Sequence, residues 1–313
     1  MRVVEDTLDL IGHTPLVRLK RFSPDGRRIY VKLETHNPGG SVKDRAARAM
    51  IERAEAEGRI RPGETTLVEA SSGNTGIGLA VVAAVKGYRL VLVMPEHMPR
   101  ERRLLLEVYG AKVVLTPAEL GMEGAVREAE RIARNLPNAF LVSQFDNPAN
   151  PLAHATITAR ELLAQMGALE DVRAVVVGVG TAGTLRGLVE GLRPFRSNLK
   201  FVAVEPLGSP VLSGGPAGNH AIYGIGAGFV PPLYPRDAVD EVVAVSDEDA
   251  YGTVLRVARA EGLFLGPSSG AVLFAAERLA RALPPGSAVV ALAPDGGERY
   301  LSAWERRLPP EEP

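Results

Sequence analysis

Three glycine-rich turns hold most of the residues in this sequence that could do chemistry. The first, Asn37-Pro38-Gly39-Gly40-Ser41-Val42-Lys43-Asp44-Arg45, opens a helical stretch. Ser41 is a good N-cap, which sets Lys43 in the first helical turn. A lysine there opposes the helix dipole, which favours cations at the other end. The same field disfavours the ammonium, and a lysine kept as the neutral amine can form a Schiff base. A solvated surface lysine is nevertheless the commoner fate of the residue type.

The second turn, Ser71-Ser72-Gly73-Asn74-Thr75-Gly76, gathers hydroxyls, an amide and helix-start N–H groups, a set suited to a carboxylate. Taken alone, this segment reads first as an ordinary serine-capped turn from strand to helix. The third turn, Gly178-Val179-Gly180-Thr181-Ala182-Gly183-Thr184, leaves an apolar strand and precedes Leu185-Arg186-Gly187-Leu188. It lacks the Gly-Lys-Ser/Thr ending of a nucleotide P-loop. It does match Gly-x-Gly-x-x-Gly, and Glu205 ends the next strand about where a ribose-binding acid would sit. On this motif alone an NAD-dependent dehydrogenase stays open beside a phosphate site and a plain tight turn.

The elements that must position these turns alternate between strand and helix. Apolar runs at 29–33, 66–69, 90–94, 112–115, 174–177, 201–204 and 288–292 read as strands, with helical spacing at 41–57, 75–85 and 123–135. Strands buried on both faces and interleaved with helices predict parallel-rich sheets covered by helices, an α/β fold. Proline- and asparagine-rich seams near 37–40 and 144–151 divide the chain into a larger domain, 1–37 with 150–313, and a smaller mobile domain, 38–149. The tail, 308–313, is expected to fray.

Composition narrows the functions. The chain has 313 residues, a formal net charge of −1 and no cysteine. That balance suggests neither nucleic acid nor an anionic membrane as partner, and no disulfide, thiolate metal site or cysteine nucleophile is possible. The five histidines (13, 36, 97, 154, 220) show no ligand spacing, so no metal site is expected. The first six residues have no apolar core of the signal-peptide kind, and the most apolar stretch, 79–94, is broken by Lys86, Gly87 and Arg89. A cytoplasmic enzyme is the default.

Taken in order, these segments resemble the cysteine synthase (O-acetylserine sulfhydrylase) family. The resemblance is carried by Ile11-Gly12-His13-Thr14-Pro15-Leu16-Val17, Ser41-Val42-Lys43-Asp44-Arg45, Ser72-Gly73-Asn74-Thr75-Gly76, Gly180-Thr181-Ala182-Gly183-Thr184 and Gly266-Pro267-Ser268-Ser269-Gly270-Ala271, and extends from about residue 5 to about 303. It implies a fold-type II pyridoxal-phosphate enzyme, with pyridoxal 5'-phosphate between the two domains, the larger being the cofactor-binding one, and a homodimer. By match of motif, Lys43 would carry the cofactor as the internal aldimine and Asn74 would bond its ring hydroxyl. Gly180, Thr181, Ala182, Gly183 and Thr184 would hold its phosphate, and Ser268 would face its ring nitrogen. Ser71, Ser72, Thr75 and Gln144, with Asn74 beside them, would bind substrate. The sequence departs from the family at His13, where asparagine is usual, at Ala182, usually glycine, at Tyr223, usually glutamine, and at Pro267.

The chemistry so implied is β-replacement: Lys43 takes the Cα proton of O-acetyl-L-serine, acetate leaves an aminoacrylate, and sulfide adds to give L-cysteine. A cystathionine β-synthase-like enzyme or one using O-phosphoserine is the nearest alternative. The resemblance also suggests docking of the C-terminal tail of serine acetyltransferase in the active site. The stretch Tyr223-Gly224-Ile225-Gly226-Ala227-Gly228 offers no basic residue for a phosphate leaving group, so the acetyl ester is preferred, with Arg236 and His220 the residues whose placement could alter this.

Overall fold

The computed structural model describes residues 3–71, 73–98, 100–169, 171–305 and 307. Ser72 and the tail from 308 lie outside the described residues. The chain runs β1 (Leu16–Leu19), β2 (Arg28–Leu33), α1 (Lys43–Ala56), β3 (Thr66–Ala70), α2 (Asn74–Lys86), β4 (Arg89–Pro95), α3 (Arg100–Val108), β5 (Lys112–Thr116), α4 (Gly121–Asn135) and β6 (Ala139–Leu141). It continues with α5 (Ala149–Ala153), α6 (Ala159–Gly167), β7 (Val172–Gly178), α7 (Gly183–Leu192), β8 (Lys200–Pro206), β9 (Glu241–Val245), α8 (Asp247–Glu261), α9 (Pro267–Ala282), β10 (Ala288–Ala293) and α10 (Leu301–Trp304).

The strands make two sheets. One has the order β1-β2-β10-β7-β8-β9, parallel except for the antiparallel edge strand β1; the other, β5-β4-β3-β6, is all parallel. The mixed α/β class with parallel-rich sheets is as the alternation required. β10 shows why: Ala288-Val289-Val290-Ala291-Leu292-Ala293 is buried at every position, because helices cover both faces. Val289 packs into one cluster with α9, and Val290 into the opposite one with α7 and α6. Each such valine contributes about 1.5–3 kcal/mol of burial.

All four strands of the smaller sheet fall between residues 66 and 141, and α1 packs on α2 beside it. The strands the sequence did not announce are short or marginal: β1, β6 and β9 carry mixed burial, so their periodicity is weak.

α7 is placed by glycines at helical spacing. A Cβ on Gly183 would strike the Asn150 amide, one on Gly187 the Pro151 carbonyl, and one on Gly191 the Ala159 methyl. One bare face therefore lets α7 lie against the run from α5 to α6. That run includes a π-helical turn at His154–Thr158, a local widening often found at functional sites.

Candidate active site

The three turns meet around a cavity of about 270 Å³, whose walls include Lys43, Ser71, Asn74, Thr75, Gln144, Gly180, Thr181 and Ser268. Ala182, Gly183 and Thr184 stand behind the wall, at the start of α7. The position of a site at the C-terminal ends of parallel strands is the general one for open α/β sheets.

Lys43 is the first residue of α1, and its N–H donates to the Ser41 hydroxyl at 3.2 Å. Ser41 thus supplies the capping oxygen, as the sequence suggested, although it stands one place before the N-cap position, which Val42 occupies. Burial pushes the Lys43 amine down to about 8, against the pull of Asp295. The expected depression is present, and burial is its largest cause.

Behind Lys43, α1 is fixed by a buried ion network. Arg45 donates Nε and Nη2 to the Glu34 carboxylate at 2.6 and 2.9 Å, and Nη1 and Nη2 to Glu161, both at 2.8 Å. Lys32 Nζ adds bonds to Glu161 at 2.7 Å and to the Thr14 carbonyl at 2.7 Å. Burial pushes the Glu161 carboxyl up, but the bonds and charges of Arg45 and Lys32 outweigh it and hold it down to about 2. Removing one partner of such a network strands a buried charge, which costs about 3–5 kcal/mol.

The second turn is built around Ser71, whose hydroxyl accepts from Gly76 N–H at 3.0 Å and Gly73 N–H at 3.4 Å. Thr75 donates its hydroxyl to Gln144 Oε1 at 2.6 Å. These three polar side chains therefore converge at the N-terminus of α2, where free N–H groups favour an anion. Glu69 lies beneath, its carboxyl pushed up to about 7 by burial despite bonds from the backbone at Gln144, Ala70 and Ser143.

In the third turn, Gly180 has no room for a side chain: a Cβ would stand 2.5 Å from the Gly224 carbonyl oxygen. Ala182 adopts φ +66°, the left-handed region, which explains why glycine is usual there and costs alanine about 1–2 kcal/mol. His13 is likewise at φ +51°, a conformation asparagine tolerates better. Gly183 N–H donates to the Thr181 hydroxyl at 3.3 Å, and Thr184 Oγ1 bonds His154 Nε2 at 3.2 Å. His154 is fully buried, and burial with the nearby Arg45 and Lys43 charges keeps its imidazole well below the usual range, hence neutral.

Ser268 sits in the first turn of α9, 1% exposed, and its hydroxyl has no hydrogen-bond partner among the described residues. An orphaned buried hydroxyl costs free energy unless a ligand completes it. A heteroaromatic ring nitrogen suits that hydroxyl, an aldehyde suits a depressed amine, and a phosphate suits the N-terminus of α7. The residues present fit pyridoxal phosphate.

Several site residues escaped the sequence reading. Asp295, Arg299 and Tyr300 follow β10; the Asn74 amide donates to Asp295 Oδ2 at 2.6 Å and accepts from Arg299 Nη1 at 2.9 Å, and the Tyr300 hydroxyl donates to Asp295. Burial raises the Asp295 carboxyl, while Tyr300, Asn74 and Arg299 oppose that. Asn150 ties the turns together, donating Nδ2 to the Gln144 carbonyl at 2.9 Å and to Thr181 Oγ1 at 3.0 Å. Arg102, from α3, lies over the rings of Tyr223 and Tyr300, 4.8 and 5.3 Å from their centroids, and lines the cavity mouth. The rule that ligands gather beyond the C-terminal ends of parallel strands would have flagged the segment after β10.

Other residues stand elsewhere. Neither Arg236 nor His220 lines the cavity, and His220 Nε2 bonds the Gly226 carbonyl at 3.0 Å. Glu205 gives its carboxylate to Leu212 N–H at 2.7 Å, Ser213 N–H at 3.1 Å and the Ser213 hydroxyl at 2.6 Å. It is buried in its own loop and offers nothing to a ribose, which removes the support for a dehydrogenase. No group of three or more metal-ligating side chains occurs among the described residues, and no helix there is long and apolar enough to cross a membrane.

Comparisons with known proteins agree with this geometry. The family described as "Pyridoxal-phosphate dependent enzyme" matches residues 7–295. A probable cysteine synthase of Bacillus subtilis is 48% identical over 304 residues, covering 96% of this chain and 97% of that protein. A cysteine synthase of Staphylococcus aureus is 48% identical over 300 residues, 96% of each. Among solved structures, an O-ureido-L-serine synthase superposes with a TM-score of 0.96 at 42% identity, over 100% of this chain and 98% of that one. The cysteine synthase of Entamoeba histolytica superposes with a TM-score of 0.93 at 39% identity, over 100% and 93%. The chain belongs to the cysteine synthase family of pyridoxal-phosphate dependent enzymes.

Proposed function

We propose that the protein is a cysteine synthase, replacing the acetyl group of O-acetyl-L-serine with sulfide to give L-cysteine and acetate. The observation that carries this reading is the single cavity shared by the Lys43 amine, the polar cluster of Ser71, Thr75 and Gln144, and the unpartnered Ser268 hydroxyl. Lys43 would hold the cofactor, Asn74 its ring oxygen, residues 180–184 its phosphate and Ser268 its ring nitrogen. When bound, pyridoxal phosphate supplies an electron sink for charge developing at Cα.

The chain's own groups account for the remaining steps. Ser71, Thr75 and Gln144, with the α2 N-terminus, bind and orient the substrate carboxylate. The Lys43 Nζ takes the Cα proton; with the amine near 8, roughly a tenth of it is neutral at pH 7, far more than for an ordinary lysine. A hydroxyl at Ser268, unlike a carboxylate, would leave the ring nitrogen of the bound cofactor without a proton, which would favour expulsion of a β-leaving group over reprotonation. Met98, Met122, Phe145 and Tyr223 also line the cavity and supply apolar surface that would limit water around the reacting atoms.

The division into a smaller mobile domain, 38–149, and a larger one, 1–37 with 150–313, is part of the same proposal. It is supported by the separate sheets and by the turns of 37–40 and 144–148 that join them. The homodimer and docking of a serine acetyltransferase tail rest on the family resemblance, and the cytoplasmic location on the absence of signal-peptide and membrane-span patterns in residues 1–6 and 79–94.

Arg102 favours a second reading, use of O-phospho-L-serine, because it sets a guanidinium at the cavity mouth. It lies over two tyrosine rings, and the lining at Gly224, Ile225 and Ala227 is small and apolar, which suits the acetyl ester better. The test compares kcat/KM for O-acetyl-, O-phospho- and free L-serine with sulfide. O-acetylserine should exceed both by at least about tenfold, or 1.4 kcal/mol. Equal or faster use of O-phosphoserine would reverse the substrate assignment.

A further inference from the structure

Beyond β10 the chain continues as Pro294-Asp295-Gly296-Gly297-Glu298-Arg299-Tyr300, and this strap touches the turns that carry both Lys43 and Asn74. On one side, Val42 N–H donates to the Pro294 carbonyl at 2.8 Å, Ser41 and Asp295 form an antiparallel bridge, and the Arg299 guanidinium donates to the Gly39 carbonyl. On the other, the strap grips the Asn74 amide at both ends. Nδ2 donates to Asp295 Oδ2 at 2.6 Å, and Oδ1 accepts from Arg299 Nη1 at 2.9 Å.

These two grips decide which way the amide points. Burial raises the Asp295 carboxyl, but the Asn74 amide and the Tyr300 hydroxyl both donate to its Oδ2 with the Arg299 charge nearby, so it acts as an acceptor, and a guanidinium only donates. A flipped Asn74 would set donor against donor and acceptor against acceptor. In the observed orientation one Nδ2 proton is engaged by Asp295, and the second remains available. The amide oxygen is turned to Arg299. Tyr300 completes the clamp by donating its hydroxyl to the same Asp295 Oδ2.

We propose that Asp295 and Arg299 are positioning residues for the cofactor ring, locking Asn74 so that it presents an N–H and not its carbonyl to the ring oxygen. The inference rests on the reading of Asn74 as the partner of that oxygen. A donor held there stabilises the ionised ring oxygen, and with it the visible-absorbing form of the bound cofactor. Neither residue need touch the cofactor itself.

Asp295→Asn keeps the shape and removes the obligatory acceptor. In the holoenzyme, the ratio of visible to near-ultraviolet cofactor absorption at neutral pH should fall. Cofactor affinity should drop about tenfold, the scale of one lost charge-assisted hydrogen bond, while the circular dichroism stays that of the folded protein. The decisive arm repeats the substitution in Asn74→Ala. If Asp295 acts through Asn74, it no longer moves the ratio there. An unchanged ratio in Asp295→Asn, or a shift of equal size with and without Asn74, overturns the proposal. Arg299→Met carries the same cycle from the other end of the amide should Asp295→Asn not accumulate. A wild-type holoenzyme without a visible cofactor band would instead defeat the reading of the site.

Discussion

Gly180→Ala tests whether the third turn is a seat for the cofactor phosphate held against the Tyr223–Gly228 segment. The added Cβ would stand 2.5 Å from the Gly224 carbonyl oxygen, where ordinary contact begins near 3.4 Å. Roughly 0.9 Å must open between two stretches of backbone, and no flexible side chain is there to yield. Overpacking of this kind costs about 1–3 kcal/mol. If that strain falls on the phosphate seat, cofactor affinity drops about 5- to 150-fold. The assay titrates apoenzyme with pyridoxal phosphate and follows the visible band, beside thermal melts of both forms. Gly167→Ala is the control, because nothing lies within 4 Å of its Cβ position. Wild-type affinity and melting temperature in Gly180→Ala would refute the close seating of the two loops.

Three further outcomes follow from the same geometry. Ser268→Asp should cut the β-replacement rate more than about tenfold, or 1.4 kcal/mol, by protonating the ring nitrogen; an unimpaired mutant would mean that Ser268 does not face the ring. Capture of cofactor by apoenzyme should quicken as pH rises through about 8, as the Lys43 ammonium loses its proton, and level off above. The sign for stability is the same: the folded apoprotein releases this proton near 8 and the unfolded chain near 10.5, so stability grows with pH between them. A stopped-flow profile centred near 10.5 would deny that the surroundings of the half-buried Lys43 desolvate its amine. Gly252→Ala, in the middle of α8 with nothing within 4 Å of its Cβ, should stabilise the protein by about 0.5–1 kcal/mol in denaturant titration; destabilisation would show that the position is not open.

The sequence reached the α/β class and the central strands because buried parallel strands are nearly uniform apolar runs, as in β10 and β4. It did not reach β1, β6 and β9, whose short mixed patterns acquire meaning only from their neighbours. In the site, residues in glycine-rich turns were legible because turn, helix start and side-chain type coincide within a few positions. Asp295, Arg299 and Asn150 were not, because their roles come from contacts with residues far away in the chain, such as Asn74 and Thr181. The depressed Lys43 was legible only in part: the helix boundary can be read from the sequence, whereas burial, the largest cause of the shift, depends on packing such as that of α1 against α2. Glu205 shows the converse, a motif match cancelled by a loop that folds back onto its carboxylate.

The central claim is that Lys43 carries pyridoxal phosphate covalently. Borohydride reduction of the purified holoenzyme, followed by peptide mapping, tests it most directly. A single pyridoxyl group on Lys43 is the predicted result, and the same group on Lys32 or Lys86, with Lys43 unmodified, would contradict the account.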